Sequence, residues 1–239
     1  LYKKKNIDQS FYKIISKTLV NRLKGFLNSI ISENQSAFIP GRLITDNALI
    51  AFEIFHAMKR GGEGNKGNIA LKLDMSKAYD RVEWGFLGDV MRCMGFSEAW
   101  RHRVMRCVTT VTHSFLFNGR PISGVRASRG LRQGDPISPY LFLICSDSFP
   151  TMLRDAAEYR KIHGIRVCRS APRISHLFFA DDSLLFARAN IEECSTLANI
   201  ISSYERASGQ KINLEKSEIV FSKRVGGQRR EEIKEVLGV

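Results

Sequence analysis

FFADDSLLF, residues 178–186, sets two carboxylates side by side between two apolar runs. Phe178, Phe179 and Ala180 precede the pair; Leu184, Leu185 and Phe186 follow it. Two strands joined by a tight turn read this way. Acidic turns are common. Two carboxylates at the tip of an apolar hairpin are less so, because both must stay in water or find a cation. The stretch is therefore either a solvated turn or part of a metal site.

The rest of the chain narrows the context. Its 239 residues suffice for one large domain or two modest ones. With 44% hydrophobic residues it can bury a sizeable core, and its composition excludes disorder. No apolar run reaches the roughly 18 residues of a membrane helix. The N-terminal LYKKKNIDQS is basic but has no apolar segment behind it, so it is not a secretory signal. A start at Leu1 reads as a fragment. Thirty-seven Lys and Arg against 24 Asp and Glu give a net charge of +13. That excess favours a polyanionic partner, nucleic acid first and an anionic membrane surface second. The five cysteines, at 93, 107, 145, 168 and 194, form no Cys-x-x-Cys pair and no Cys/His cluster, which argues against zinc. An odd count without a secretory signal suggests reduced thiols inside a cell. Cys93 and Cys145, in apolar surroundings, are expected to pack.

No internal repeat is visible. Residues 11–31 place Phe11, Ile14, Ile15, Leu19, Leu23, Phe26 and Leu27 at helical spacing, with Lys13, Lys17, Arg22 and Lys24 between them. A second helix is expected from about Asn47 to Arg60. GGEGNKGN, residues 61–68, reads as a linker and lacks the pattern of a phosphate-binding P-loop. IALKLD, residues 69–74, reads as a strand. DRVEW then opens a helix at Asp80, and Ser97 caps another running to about Thr110. HSFLFNGRPISGVRASRG is a hairpin turning at Asn118-Gly119. A mostly buried helix begins just after Pro136, the acidic hairpin follows, and residues 191–208 form a helix stopped by Gly209. INLEKSEIVF closes as a strand. The pattern predicts an α+β fold with helices on one face of an antiparallel sheet.

A two-metal phosphoryl-transfer site needs carboxylates from separate segments meeting on two Mg²⁺ ions. Asp74, at the end of LKLD, is the candidate partner for Asp181 and Asp182; an exposed strand-end carboxylate is the alternative. Asp80 competes, but Asp80 and Glu83 fit a capping box, so Asp80 is assigned a structural role. RGLRQGDPISPY, residues 129–140, brings Gly130 and Gly134 for tight backbone paths, and Arg129 and Arg132 near a helix start suited to phosphate. An ordinary loop into a helix is the plainer reading.

Taken together, LKLDMSKAYDRVEW, RGLRQGDPISPYLF, FFADDSLLF and SGQKINLEKS resemble the successive palm motifs of reverse transcriptases, of the LINE-type (non-LTR) retrotransposon kind abundant in plants. QSAFIPGRLITDN resembles their fingers segment. The resemblance spans nearly the whole chain, with the motifs in order. It implies a right-hand polymerase fold with an antiparallel-sheet palm and partial helical fingers, divided as 1–68 partial fingers, 69–110 palm, 111–134 a hairpin returning to the fingers, and 135–239 palm. The thumb is expected to be absent, as the chain stops at LGV. The implied function is RNA-directed DNA polymerase, a module using two Mg²⁺, with Mn²⁺ as a substitute, to join dNTPs to a DNA primer on an RNA template.

The same resemblance assigns Asp74, Asp181 and Asp182 as catalytic metal ligands, Asp74 and Asp181 the surer, with the Met75 carbonyl as a further ligand. It makes Tyr79 the steric gate against a ribose 2′-OH. It sets Gln133 and Gly134 in the nucleotide-binding turn, Lys13 on the triphosphate, Phe179 and Ala180 near the primer, and Lys216 as the acid for the leaving pyrophosphate, with Lys211 as competitor. The Arg-Pro-Ile segment that the family carries upstream of FYKIISK is replaced here by LYKKKNIDQS. The family implies a nuclear location. Two other readings stand beside it: a non-catalytic RNA-binding remnant, and a two-metal nuclease, which leaves Tyr79 and RGLRQGDP without a role.

Overall fold

The computed structural model describes residues 7–60, 67–110 and 112–239. Helices α1 (Ile7–Lys24), α2 (Leu27–Ile30) and α3 (Ile44–Lys59) lead into strand β1 (Asn68–Leu73). Helices α4 (Trp84–Cys93) and α5 (Glu98–Thr109) follow, then a hairpin of β2 (Thr112–Phe117) and β3 (Arg120–Arg126). Next come α6 (Ser138–Ser146), α7 (Ser148–Glu158), β4 (His176–Phe179), β5 (Asp182–Arg188), α8 (Ile191–Ser208), β6 (Glu218–Phe221) and α9 (Gly227–Leu237). The main sheet has the order β4-β5-β1-β6, with every pair antiparallel; β2 and β3 form a sheet of their own.

Strand alternation decides which face each helix covers. Ile69, Leu71 and Leu73 of β1, with Leu185 and Ala187 of β5, point into the larger core beside Leu87, Phe142, Phe149 and Leu197 of α4, α6, α7 and α8. Ala70, Leu177 and Phe186 point the other way, onto Ala51, Ile54 and Met58 of α3. One helical layer thus backs the sheet, as the sequence predicts, and α3 shields part of the opposite face. The end of that face carrying Lys72 and Asp182 stays exposed.

Local chemistry explains most boundaries. Ser97 Oγ accepts from the Trp100 amide and caps α5. Asn118 and Gly119, with φ of 48° and 75°, make the tight turn between β2 and β3. Gly209, at φ 75°, ends α8 as expected. Other expectations need correction. The helix read over 11–31 breaks at Gly25, and its inward stripe is half-buried Tyr12 with buried Ser16, Leu19, Val20 and Leu23, while Phe11, Ile14, Ile15 and Phe26 are more than half exposed. The stripe is displaced because Ser16 and Tyr12 are drawn inward by a buried acid, described below. Helix α3 starts at Ile44, three residues earlier than expected. Asp147 divides the buried helix after Pro136 into α6 and α7; Pro150 has no amide to bond the carbonyl of Ser146. The linker read at 61–68 falls outside the described residues up to 66, and Asn68 already belongs to β1. Helix α9 has no counterpart in the sequence reading. Cys93 is exposed rather than packed; Cys145 is buried, and all five thiols are free.

His176 sits buried in β4. Asn34 Nδ2 lies 2.8 Å from its Nε2, and Ser175 Oγ lies 2.9 Å from its Nδ1. With the Asn34 amide donating, Nε2 accepts and the proton sits on Nδ1. Burial, with the nearby Arg154 charge second, pushes the ring down to about 4. The folded chain therefore binds fewer protons than the unfolded chain, in which the ring titrates near 6.5. The resulting stability is complete above that value and is lost as pH falls toward 4. Urea unfolding should show about 2 kcal/mol lost between pH 7 and pH 5, and His176→Gln should flatten that slope.

Candidate active site

The acidic hairpin forms where the sequence predicts it. Phe179 pairs with Asp182 across a two-residue turn of Ala180 and Asp181. β5 runs antiparallel to β1, with Leu73 opposite Ser183. One further step of that register sets Asp74 opposite Asp182, on the face that α3 leaves open. Three carboxylates from two distant segments thus share one end of the sheet.

Their electrostatics reflect the proximity. The Asp182 carboxyl is pushed above its ordinary range, first by partial burial and then by the neighbouring Asp181 charge; Lys72 opposes this and Asp74 adds to it. Among the described residues no group of three or more His, Cys, Asp and Glu side chains closes into a metal cage. The donor set is nonetheless suitable for a hard cation. Mg²⁺ commonly takes one or two carboxylates and completes its shell with water and substrate phosphates. Mutual repulsion among oxygen ligands is what such an ion relieves.

The neighbouring expectations sort as follows. Met75 is buried and bridges Ile212, and the Asp74 carbonyl accepts from the Asn213 amide at 2.8 Å. These bonds bend the 212–217 segment around the end of β1. It is therefore not the continuous strand expected: a 3-10 turn at Leu214–Lys216 precedes β6. Lys216 is exposed on that turn, whereas Lys211 is paired with Glu205 at 3.0 Å. The Tyr79 ring stacks on Phe142 with centroids 5.1 Å apart, and its hydroxyl is held above its usual range by burial and then by the Asp181 charge. The structure thus brings Asp74, Asp181, Asp182, Tyr79 and the backbone of Met75 together, with Ala180 on the turn of Asp181 and Phe179 at the end of β4.

Gln133 lines a cleft of about 500 Å³ with Tyr12, Asp80, Trp84, Arg129 and Arg132. The cleft wall is tied to the Tyr79 segment by bonds from the Leu131 amide to the Tyr79 carbonyl and from the Gly130 amide to the Val82 carbonyl, both 2.8 Å. Gly130 has φ 91°, and a Cβ there would lie 2.8 Å from the Asp80 carbonyl oxygen, so only glycine fits. These bonds also overturn the capping box. With Val82 held by Gly130 and the Glu83 amide by the Ser208 carbonyl, residues 76–81 form a turn and α4 begins only at Trp84. Asp80 caps nothing; it stands at the cleft rim, and the Glu83 carboxylate pairs with Arg129. Gly134 adopts φ 79°. Lys13 is exposed on α1.

Sequence reasoning missed Asp135. It is buried and accepts from the hydroxyls of Tyr12 and Ser16 and from the Ile137 amide. Tyr12 also reaches the Cys107 carbonyl at 3.0 Å, and burial with the Asp135 charge drives its own ionisation far upward. The acid therefore fastens α1 to the loop bearing Gln133. The signal in the sequence is Tyr12 and Ser16 four residues apart on a helical stripe, polar groups where apolar ones would be expected. Asp135→Ala would strip buried Ser16 of its acceptor, leave Tyr12 with the Cys107 carbonyl, and should cost about 2–3 kcal/mol in urea unfolding. Tyr12→Phe alone should cost about 1–2 kcal/mol, and less in the Asp135→Ala background.

Comparison with known proteins gives these residues a family. Residues 5–239 match the family described as reverse transcriptase (RNA-dependent DNA polymerase). The chain is 30% identical over 158 residues, 66% of its length, to a Pol polyprotein of the type-1 retrotransposable element R2 of Popillia japonica, covering 25% of that protein. It is 52% identical over 69 residues to an uncharacterized mitochondrial protein of Arabidopsis thaliana, covering 29% of this chain and 57% of that one. It is 27% identical over 208 residues to the transposon TX1 149 kDa protein of Xenopus laevis, 15% of whose length it spans. Among solved structures, telomerase from Candida tropicalis superimposes with a TM-score of 0.61 at 13% identity, over 92% of this chain and 37% of that one. Telomerase from Candida albicans does so with a TM-score of 0.58 at 16% identity, over 90% and 36%. With a sheet and helical backing of the same architecture and a family match over nearly its whole length, the chain belongs to the reverse transcriptase family.

Proposed function

We propose that this chain is the polymerase segment of a retrotransposon protein and extends a DNA primer on an RNA template. The observation that carries the reading is the β1–β5 register, Leu73 opposite Ser183, whose next step brings Asp74 toward Asp182, with Asp181 on the adjoining turn. In this reading residues 1–68 and the hairpin of 111–134 act as fingers, and 69–110 and 135–239 as palm.

Asp74, Asp181 and Asp182, with the Met75 carbonyl, would hold the divalent ions, Mg²⁺ or Mn²⁺. When bound, such ions lower the pKa of the primer 3′-OH and neutralise charge on the triphosphate. The chain's own groups do the rest by placement. Phe179 and Ala180 lie beneath the primer end. The Tyr79 ring, fixed against Phe142, crowds a ribose 2′-OH and so favours deoxynucleotides. Gln133 and Gly134 seat the incoming nucleotide at the cleft mouth, Lys13 on α1 faces its triphosphate, and Lys216 Nζ gives a proton to the departing pyrophosphate. The net charge of +13 supports a grip on the nucleic-acid backbone that weakens with salt.

Primer extension by the chain within its flanking coding sequence tests this directly. Asp181→Ala and Asp74→Asn should each lower extension by about 10²–10³-fold, and chelation of divalent ions should abolish it. Extension indifferent to these changes would overturn the assignment. Tyr79→Ala should raise ribonucleotide incorporation while dNTP extension persists; unchanged discrimination would remove the gate from Tyr79.

A further inference from the structure

The two-residue turn that carries Asp181 is strained. Ala180 has φ 53°, a left-handed conformation costly for any residue with a Cβ. Asp181 does not share the positive φ. That combination belongs to the hairpin turn whose first position favours glycine. Alanine there persists only if its surroundings over-determine the conformation.

The surroundings that do so come from the segment between α2 and α3. Gln35 is buried, at 3% exposure. Its Oε1 accepts from the Ala180 amide at 3.0 Å and from the Ala37 amide at 2.9 Å, and its Nε2 donates to the Ala180 carbonyl at 3.4 Å. One side-chain amide thus takes both backbone groups of the strained residue. Reversing it would bring two N–H groups against an NH₂ and an oxygen against a carbonyl, so the orientation is unique.

Gln35 itself is held from every side. The Phe178 amide donates to the Asn34 carbonyl at 2.9 Å, and the Ser36 amide to the Phe178 carbonyl at 3.3 Å, so Gln35 sits in an isolated parallel bridge beside β4. Asn47 Nδ2 ties the carbonyls of Asn34 and Phe178 together. The Arg42 guanidinium donates to the carbonyls of Asn28, Ile31, Ser32 and Gln35. The Ser32 amide donates to buried Asp147 at 2.7 Å. The amide of Gln35 is a fixed point against which the turn is set.

We propose that Gln35 is a positioning residue: its side chain holds Ala180 left-handed and thereby aims Asp181 and Asp182. The role in catalysis rests on the polymerase reading; the hold on Ala180 does not. The test uses Gln35→Met, which keeps the packing volume and removes both hydrogen bonds to Ala180, together with the one from the Ala37 amide. Amide exchange on the chain labelled with ¹⁵N-alanine should show Ala180 exchanging at least tenfold faster in the variant, with Ala70 in β1 unchanged. In primer extension kcat should fall at least tenfold while KM for dNTP stays within about twofold, since misplacement of reacting groups by about an ångström costs that order of rate. Ala180→Gly, which adopts the turn without strain, should recover most of the lost kcat in the Gln35→Met background. An unchanged exchange rate at Ala180, or faster exchange with kcat intact, would overturn the proposal. If Gln35→Met does not fold, Gln35→Glu replaces it: the carboxylate keeps the acceptor for the Ala180 amide and loses the donor to its carbonyl, so exchange at Ala180 should stay slow, and fast exchange there would overturn the hold. A wild-type chain unable to extend a primer would instead sink the polymerase reading, and the exchange measurement would stand by itself.

Discussion

The site depends on one constraint, the hydrogen-bonded register that sets Leu73 opposite Ser183. Side chains alternate faces along a strand, so a slip of one residue would turn Asp74 into the core or Leu73 out of it. Buried Leu71 and Leu73 on one side, and Ala70 against α3 on the other, make either slip costly. The hydrophobic effect thus positions the carboxylates, although it acts on none of them. The Asp182 carboxyl is raised first by burial and then by the Asp181 charge, and packing in the strands behind keeps the three acids together.

The same division of labour recurs around Gln133. Gln133 and Gly134 lie on an exposed loop whose ends are anchored in the interior, at Gly130 and Leu131 by backbone bonds and at Asp135 by side-chain bonds. The anchors join three elements distant in sequence: α1, the turn after β1, and the start of α6. The exposed Arg129, Arg132 and Gln133 at the cleft are therefore set in a fixed frame.

Much of this was legible beforehand, and the reasons differ by residue. The acidic hairpin, β1, the Asn118-Gly119 turn and the Gly209 stop were readable because each rests on a local rule: alternation, turn chemistry, or glycine's access to positive φ. The family was readable from the order of four motifs. What failed was decided by contacts far along the chain. The Asp80–Glu83 box was outcompeted by backbone bonds from Gly130 and to Ser208. The strand expected after Ile212 was bent by Asn213 and Ser217 closing on Asp74. Asp135 and Gln35 looked like ordinary loop residues, since burial of a lone polar side chain leaves no periodic mark in a sequence.

The central place of β1 has a consequence for synthesis of the chain. Both its sheet neighbours, β5 and β6, lie downstream, and Leu73 and Ser183 are 110 positions apart. At translation rates of about 5–20 residues per second, β1 waits roughly 5–20 s for its first partner. Through that interval NIALKL has two open edges and one apolar face, made by Ile69, Leu71 and Leu73. Such a strand is the kind that pairs with another copy of itself. Lys72, the single exposed residue of the six, is the charge that discourages that pairing until β5 arrives.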